Sequence, residues 1–213
     1  MIRGVFVLGL TGSIGMGKST AAALLRRLGV PVHDADRTVH RLLRPGGAGA
    51  AAVALAFPGA LRDGALDREA LAGLVFGDKA ALRRLESIVH PLVRRAERRF
   101  LVRAAIGRRR VVVLDIPLLF ETGGDNRCDA TIVVTAPRSV QDARLRGRAD
   151  MTPARLAAIR ARQMPDEEKR RRADFIVDTS RGRGCTLHDL ARIVRSARRG
   201  RRARRRSGSF DAR

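Results

Sequence analysis

The sequence predicts an α/β fold in which helices cover both faces of a five-stranded, doubly wound parallel sheet. Five short segments are predicted strands, and most of them are continuous apolar runs rather than alternating patterns, which is typical of strands buried on both faces. These segments are residues 5–10, 30–34, 111–115, 131–135 and 174–178. Helical stretches separate them, which favours right-handed β–α–β connections. With 213 residues, 45% of them hydrophobic, the chain can bury one sizeable core.

Turn and cap residues place the helices between these strands. A helix is expected over 18–28, followed by glycine as a C-terminal cap. Thr152 is suited to cap a helix over 153–163 that begins with proline. Thr186 and Asp189 have the spacing of a capping box, which predicts that the last helix starts there.

Two interruptions of the β–α pattern suggest an inserted helical subdomain and a helical lid. The stretch between the second and third strands shows no strand signal, and Asp67 and Asp78 can each cap a helix there. The arginine-rich stretch before the fifth strand is the candidate lid. The expected organisation is a single domain over 1–197, with its core at 1–45 and 108–197, the insert at 46–107 and the lid at 138–172.

The chain is strongly basic, with 44 Lys and Arg against 21 Asp and Glu, a net charge of +23. Such a surface attracts polyanions, although abundant Arg and Ala with only three Lys also indicate a GC-rich genome. Residues 198–213 form an arginine-rich tail that we expect to be disordered and able to touch nucleic acid without specificity. Trp and Tyr are absent, so few side chains could stack on bases.

Other function classes are disfavoured by what the sequence lacks. No apolar run approaches the ~18 residues of a membrane span, so we expect no membrane partner. The two cysteines have no metal-like spacing, which argues against a zinc site or a disulfide scaffold and suits the cytoplasm.

A glycine-rich loop after the first strand is the motif that carries chemistry. It matches G-x-x-x-x-G-K-[ST], between a strand and a helix, and comprises Gly12, Ser13, Ile14, Gly15, Met16, Gly17, Lys18 and Ser19. Its glycines let successive backbone N–H groups turn toward a phosphate, and the following helix adds its positive dipole end. Lys18 can reach the β- and γ-phosphates, and Ser19 offers a hydroxyl to Mg²⁺. The loop predicts nucleoside triphosphate binding on a fold of the P-loop NTPase type.

Carboxylates at strand ends are the next candidates. Asp34 and Asp36 follow the second strand, where one could orient an acceptor hydroxyl and take its proton, while helix capping is the alternative. Asp115 ends the third predicted strand, where it could hold Mg²⁺ through water or simply occupy a turn. Neither Lys79 nor Lys169 fits the guanine-binding N/T-K-x-D element, so a switch-type GTPase is disfavoured.

The chain resembles the dephospho-CoA kinase family over about residues 4–180. Four blocks carry the resemblance: residues 10–20, the Asp-Ala-Asp at 34–36, His90-Pro91, and Asp-Ile-Pro-Leu-Leu-Phe-Glu at 115–121. Weaker similarities are Arg144, Arg148, Gln163 and the Ala-Asp at 173–174. Thr179 departs from the family, which often has Asn at this position.

The resemblance implies that ATP phosphorylates the ribose 3′-hydroxyl of dephospho-CoA, the last step of coenzyme A synthesis, with Mg²⁺. Within that reaction it implies catalytic roles for Asp36, Lys18 and Arg144, and ATP contacts for the loop with Thr20 and for Arg144 and Arg148. It further implies acceptor contacts for Asp36, His90, Leu118, Phe120 and Glu121. Two alternatives stay open: another small-molecule kinase, such as a nucleoside monophosphate kinase, and a nucleic-acid-binding ATPase.

Overall fold

The computed structural model describes residues 4–62, 64–147 and 151–200. The strands are β1 (Phe6–Thr11), β2 (Val32–Asp34), β3 (Leu61–Arg62), β4 (Ala65–Leu66), β5 (Val111–Asp115), β6 (Ala130–Thr135) and β7 (Phe175–Asp178). The helices are α1 (Lys18–Arg27), α2 (Ala35–Leu43), α3 (Ala50–Ala56), α4 (Arg68–Val75), α5 (Lys79–Ile106), α6 (Arg138–Arg146), α7 (Pro153–Arg162), α8 (Asp166–Arg172) and α9 (Gly182–Arg198). Short 3₁₀ helices occupy Pro58–Ala60 and Gly124–Arg127.

The predicted five-stranded parallel sheet is confirmed, in the order β2-β5-β1-β6-β7. The central strand β1 pairs in parallel with β5 on one side and with β6 on the other. Its last residues lie opposite Asp115 of β5 and Val133 of β6. The loop that follows β1 therefore leaves the middle of the sheet at its carboxyl edge, where open α/β sheets bind ligands.

Apolar burial makes this sheet a rigid platform. Every residue of β5 and β6 is buried, as the unbroken apolar runs predicted. A single core cluster joins strand side chains such as Leu10 and Ile132 to Leu25 of α1 and Leu190 of α9. Each fully buried Leu or Ile contributes about 1.5–3 kcal/mol relative to exposure, so the strand ends are held firmly.

The described residues form two compact units, one combining those up to Val32 with those from Ala104 onward, the other spanning His33–Arg103. The second unit contains α2 to α4, the β3–β4 hairpin and most of α5. Its own core consists of Leu43, Val53, Phe57, Ala60, Leu71 and Val89. Asp67 caps α4 and Asp78 caps α5, each accepting two backbone N–H bonds as predicted.

Two sequence-based expectations are wrong. The insert does contain strands, because Leu61–Arg62 pairs with Ala65–Leu66 in an antiparallel hairpin too short to leave an alternating pattern. The capping box of the last helix does not form, because α9 already begins at Gly182. Thr186 lies within α9, where its hydroxyl donates to the carbonyl of Gly182, and Asp189 pairs with Arg181 instead.

The helix cap predicted at Thr152 is confirmed, since its hydroxyl accepts from the backbone N–H of Arg155. No helix in the described part of the chain combines the length and apolar character needed to cross a bilayer. The predicted disordered tail falls mostly on residues 201–213, outside the described residues.

Candidate active site

The glycine-rich loop connects β1 to α1, as its motif predicted, and α1 begins at Lys18. Gly17 caps this helix with φ +84°, a left-handed conformation that side chains rarely adopt. The first backbone N–H groups of a helix have no partner within the helix, and they carry the positive end of its dipole. The loop and the start of α1 therefore form a site suited to a phosphate.

Close packing against β6 explains the first glycine of the loop. A Cβ atom at Gly12 would lie 2.8 Å from the backbone oxygen of Val134 and would also collide with that residue's side chain. The backbone of Val134 cannot move aside as a flexible side chain can, so a larger residue at position 12 would displace the loop.

Lys18 and Asp115 are brought together by the pairing of β1 with β5. The Nζ atom of Lys18 lies 2.8 Å from Oδ1 of Asp115, and the Asp115 side chain is only 5% exposed. A carboxylate this buried requires a partner, so the pair fixes the Lys18 ammonium at the carboxyl edge of the sheet. The structure thus unites the predicted phosphate lysine with the predicted strand-end carboxylate.

Arg144 of α6 contacts the loop directly. Its Nη1 atom donates to the backbone oxygen of Gly15 at 3.3 Å and to Oγ1 of Thr179 at 2.8 Å. Its Nη2 atom donates to the backbone oxygen of Thr179, also at 2.8 Å. The guanidinium is therefore held in a fixed orientation beside the loop. Arg148, its predicted companion, lies outside the described residues.

Thr179 makes contacts with the loop that the sequence reasoning did not predict. The residue is buried just after β7, and its hydroxyl lies 3.0 Å from the backbone oxygen of Met16 and 3.3 Å from that of Thr135. One hydroxyl thus connects the loop, the end of β6 and Arg144. The only signal in the sequence was that Thr stands at position 179, where the family that the chain resembles often has Asn.

The turn around Thr179 also contains an ionised carboxylate. Burial acts to raise the pKa of Asp178, but hydrogen bonds from the hydroxyl and the amide of Ser180 outweigh it, so the pKa is lowered. The positive charges of Arg181 and Arg144 act in the same direction. Asp178 therefore keeps its negative charge and stabilises the turn at neutral pH.

Two glutamines hold the Ile14 position of the loop. Oε1 of Gln163 accepts from the backbone N–H of Ile14 at 3.0 Å. Nε2 of Gln141 donates to the backbone oxygen of Ile14 at 2.7 Å. Gln163 belonged to the resemblance, whereas Gln141 was missed because a helical glutamine has no distinguishing pattern.

The block after β5 contacts α8 and the residues just before it. Phe120 is buried, and the Arg172 guanidinium lies 4.7 Å from its ring centroid. Oε1 of Glu121 accepts from the backbone N–H of Met164 at 2.8 Å and lies 2.9 Å from Nζ of Lys169. Leu118 is half-buried. Contact of these side chains with an acceptor stays a prediction.

The remaining candidates belong to the unit that spans His33–Arg103. Asp34 caps α2, its Oδ1 accepting from the backbone N–H of Arg37 at 2.8 Å, which confirms the capping alternative. Asp36 lies in the first turn of α2 and is exposed. His90 is also exposed and immediately precedes Pro91 inside α5.

His33 is a buried titratable residue of the same unit. Burial lowers its pKa from 6.5, and the charges of Arg41 and Arg103 lower it further, against Glu97 and Asp34. Its ring lies 5.2 Å from that of Phe100. His33 is therefore neutral at physiological pH.

Oxygen donors at the loop fit a divalent cation that is bound together with phosphates. Within the described residues no group of three or more His, Cys, Asp or Glu side chains could hold a metal by itself. A cation carried on a nucleotide needs only one or two protein oxygens, because phosphates and water supply the others. The hydroxyl of Ser19 and the carboxylate of Asp115 are donors of this kind.

Comparison with known proteins identifies relatives of this chain. The family model described as dephospho-CoA kinase matches residues 6–183. A dephospho-CoA kinase of Paramagnetospirillum magneticum is 66% identical over 164 residues, 77% of each chain. One from Rhodospirillum rubrum is 55% identical over 91% of this chain and 92% of the relative.

Solved structures agree in fold. The crystal structure of TT1252 from Thermus thermophilus has a TM-score of 0.82 and 38% identity, covering 91% of this chain and 98% of that one. The family match spans the phosphate loop, Asp36, His90, the block after β5 and Arg144. This chain belongs to the dephospho-CoA kinase family.

Proposed function

We infer that this protein transfers the γ-phosphoryl group of ATP to the ribose 3′-hydroxyl of dephospho-CoA, which gives coenzyme A. The observation that carries this inference is the family match over residues 6–183. This range includes the phosphate loop with its motif and the Asp-Ala-Asp block. The reaction is the last step of coenzyme A synthesis.

The described contacts support separate roles for the loop, Lys18 and Arg144 around the ATP phosphates. Phosphoryl transfer depends mainly on positioning and on neutralising charge. The loop amides and the start of α1 surround the phosphates, and Lys18 approaches the β- and γ-oxygens from its place beside Asp115. Arg144, already oriented by Thr179 and Gly15, adds positive charge next to the loop.

We propose Mg²⁺ as the divalent cation of this kinase, held by the Ser19 hydroxyl and, through water, by Asp115. When bound, the ion offsets negative charge on the β- and γ-phosphate oxygens. Asp115 then has two roles, since it also pairs with Lys18.

We propose Asp36 as the carboxylate that orients the acceptor hydroxyl and takes up its proton late in the transfer. Asp36 lies in the first turn of α2 and is exposed to solvent. His90 and Leu118 are the further acceptor-binding candidates, together with Phe120 and Glu121. Cytoplasmic residence and nonspecific nucleic-acid contact by residues 198–213 also stay predictions.

A coupled ADP-release assay on purified protein tests the proposed function. With Mg²⁺ and ATP, turnover should depend on dephospho-CoA and be negligible with AMP or without an acceptor. Turnover with AMP but not with dephospho-CoA would refute the proposal and favour a nucleoside monophosphate kinase. Strong stimulation by RNA instead would favour a nucleic-acid-dependent ATPase.

A further inference from the structure

A buried ion pair joins Glu121, one of the acceptor-binding candidates, to Lys169, which has no role in the proposed reaction. Lys169 of α8 is fully buried, and its Nζ atom lies 2.9 Å from Oε1 of Glu121, whose side chain is 15% exposed. Beyond this contact, Nζ of Lys169 and Oε2 of Glu121 have no hydrogen-bond partner in the described part of the chain. The pair is thus desolvated and only partly satisfied.

Such a pair is poorly explained by stability alone. Removing two charges from water costs free energy that their attraction often fails to offset, and apolar replacements of buried pairs are frequently neutral or stabilising. A role in fixing a particular arrangement explains the pair better, provided that its atoms contact something that must be held in place.

The carboxylate of Glu121 makes that contact. Its Oε1 atom accepts from the backbone N–H of Met164 at 2.8 Å. The preceding residue, Gln163, accepts from the backbone N–H of Ile14 in the phosphate loop at 3.0 Å. Consecutive residues between α7 and α8 are therefore bound on one side by the ion pair and on the other by the loop.

We infer that Glu121, fixed by Lys169, is a positioning residue for the phosphate loop and acts through Gln163. It holds the chain at Met164, so that the Gln163 side chain engages the Ile14 N–H and keeps the loop shaped for ATP. The loop's glycines permit many backbone conformations, so an external contact at Ile14 selects one. This inference rests on the proposed function only for ATP as the ligand, and it differs from the acceptor contact that the family resemblance implies for Glu121.

A double-mutant cycle on ATP affinity tests this role. The variants are Glu121→Leu/Lys169→Met, Gln163→Leu and the combination of all three, with the dissociation constant for Mg²⁺-ATP measured by calorimetry without acceptor. The first two should each weaken ATP binding about 2–10-fold, the worth of one hydrogen bond. Because both act on the same contact, the triple variant should bind no more weakly than either.

Two controls separate positioning from a general structural effect. Glu121→Gln/Lys169→Met keeps an oxygen for the Met164 N–H and should restore ATP affinity to that of the parent protein. Glu167→Gln/Arg171→Gln removes an exposed ion pair of the same helix α8 and should change nothing.

Three results would overturn the inference. These are unchanged ATP affinity in the apolar double variant, additive losses in the triple variant, and failure of the apolar double variant to fold. The last would mean that the pair is needed for the fold itself. Because ATP binding is measured without acceptor, a failed acceptor assay would leave this test intact.

Discussion

Removing one hydroxyl at Thr179 should weaken both the fold and the phosphate site. Thr179→Val keeps the side-chain shape but deletes an acceptor for Arg144 at 2.8 Å and a donor for the backbone oxygen of Met16 at 3.0 Å. A hydrogen bond to a charged group contributes about 1.5–3 kcal/mol and a neutral one about 0.5–1.5 kcal/mol. Together the loss is about 2–4.5 kcal/mol, shared between unfolding and ATP binding because the Arg144 guanidinium and the loop lose a common anchor.

Urea unfolding and ATP titration of the same variant measure this loss. Thr179→Ser, which keeps the hydroxyl, is the matched control and should lie much closer to the parent protein in both assays. Surface substitutions typically change the free energy of unfolding by less than about 0.5 kcal/mol. If the free energy of unfolding of Thr179→Val lies within that range of the parent protein and ATP binds equally well, the hydroxyl does not connect Arg144 to the loop.

Three further predictions concern the reaction and its pH dependence. Lys18→Ala should lower kcat/KM by about 10²–10³-fold, the effect of losing one preorganised donor, and an unchanged value would exclude Lys18 from the transfer. Asp36→Asn should lower kcat about 10²–10⁴-fold with ATP affinity unaltered, and equal loss of both would indicate misfolding. Because burial lowers the pKa of His33, the unfolded chain binds a proton there that the folded chain excludes. The part of the unfolding free energy that comes from keeping His33 neutral is complete above pH 6.5, and it is lost as the pH falls through the folded-state pKa of His33. His33→Gln should therefore lose less stability than the parent between pH 7.5 and 5.5, and an equal loss would contradict this role for His33.

The sheet could be predicted because its strands obey one simple rule. Strands buried on both faces must be apolar throughout, and β5 and β6 have this pattern and are wholly buried. The β3–β4 hairpin was not predicted, because strands of two residues each are too short to show an alternating pattern. The start of α9 was misplaced because Thr186 and Asp189 have the spacing of a capping box, whereas the helix begins at Gly182.

The site was predictable where a residue type must match a ligand. The loop glycines, Lys18 and Ser19 follow from phosphate chemistry, and the structure adds the pairing of Lys18 with Asp115. Thr179 and Gln141 were not predictable, because their roles depend on contacts with backbone atoms more than 120 residues away in the chain. Such contacts leave no local spacing in a single sequence.

The position of the transferred phosphate tests the central claim most directly. Protein, Mg²⁺, γ-labelled ATP and dephospho-CoA should give labelled coenzyme A, with the phosphate on the ribose 3′-oxygen by ³¹P NMR, and Lys18→Ala should transfer the label about 10²–10³-fold more slowly. Label released only as inorganic phosphate, or carried on another acceptor such as AMP, would contradict the account.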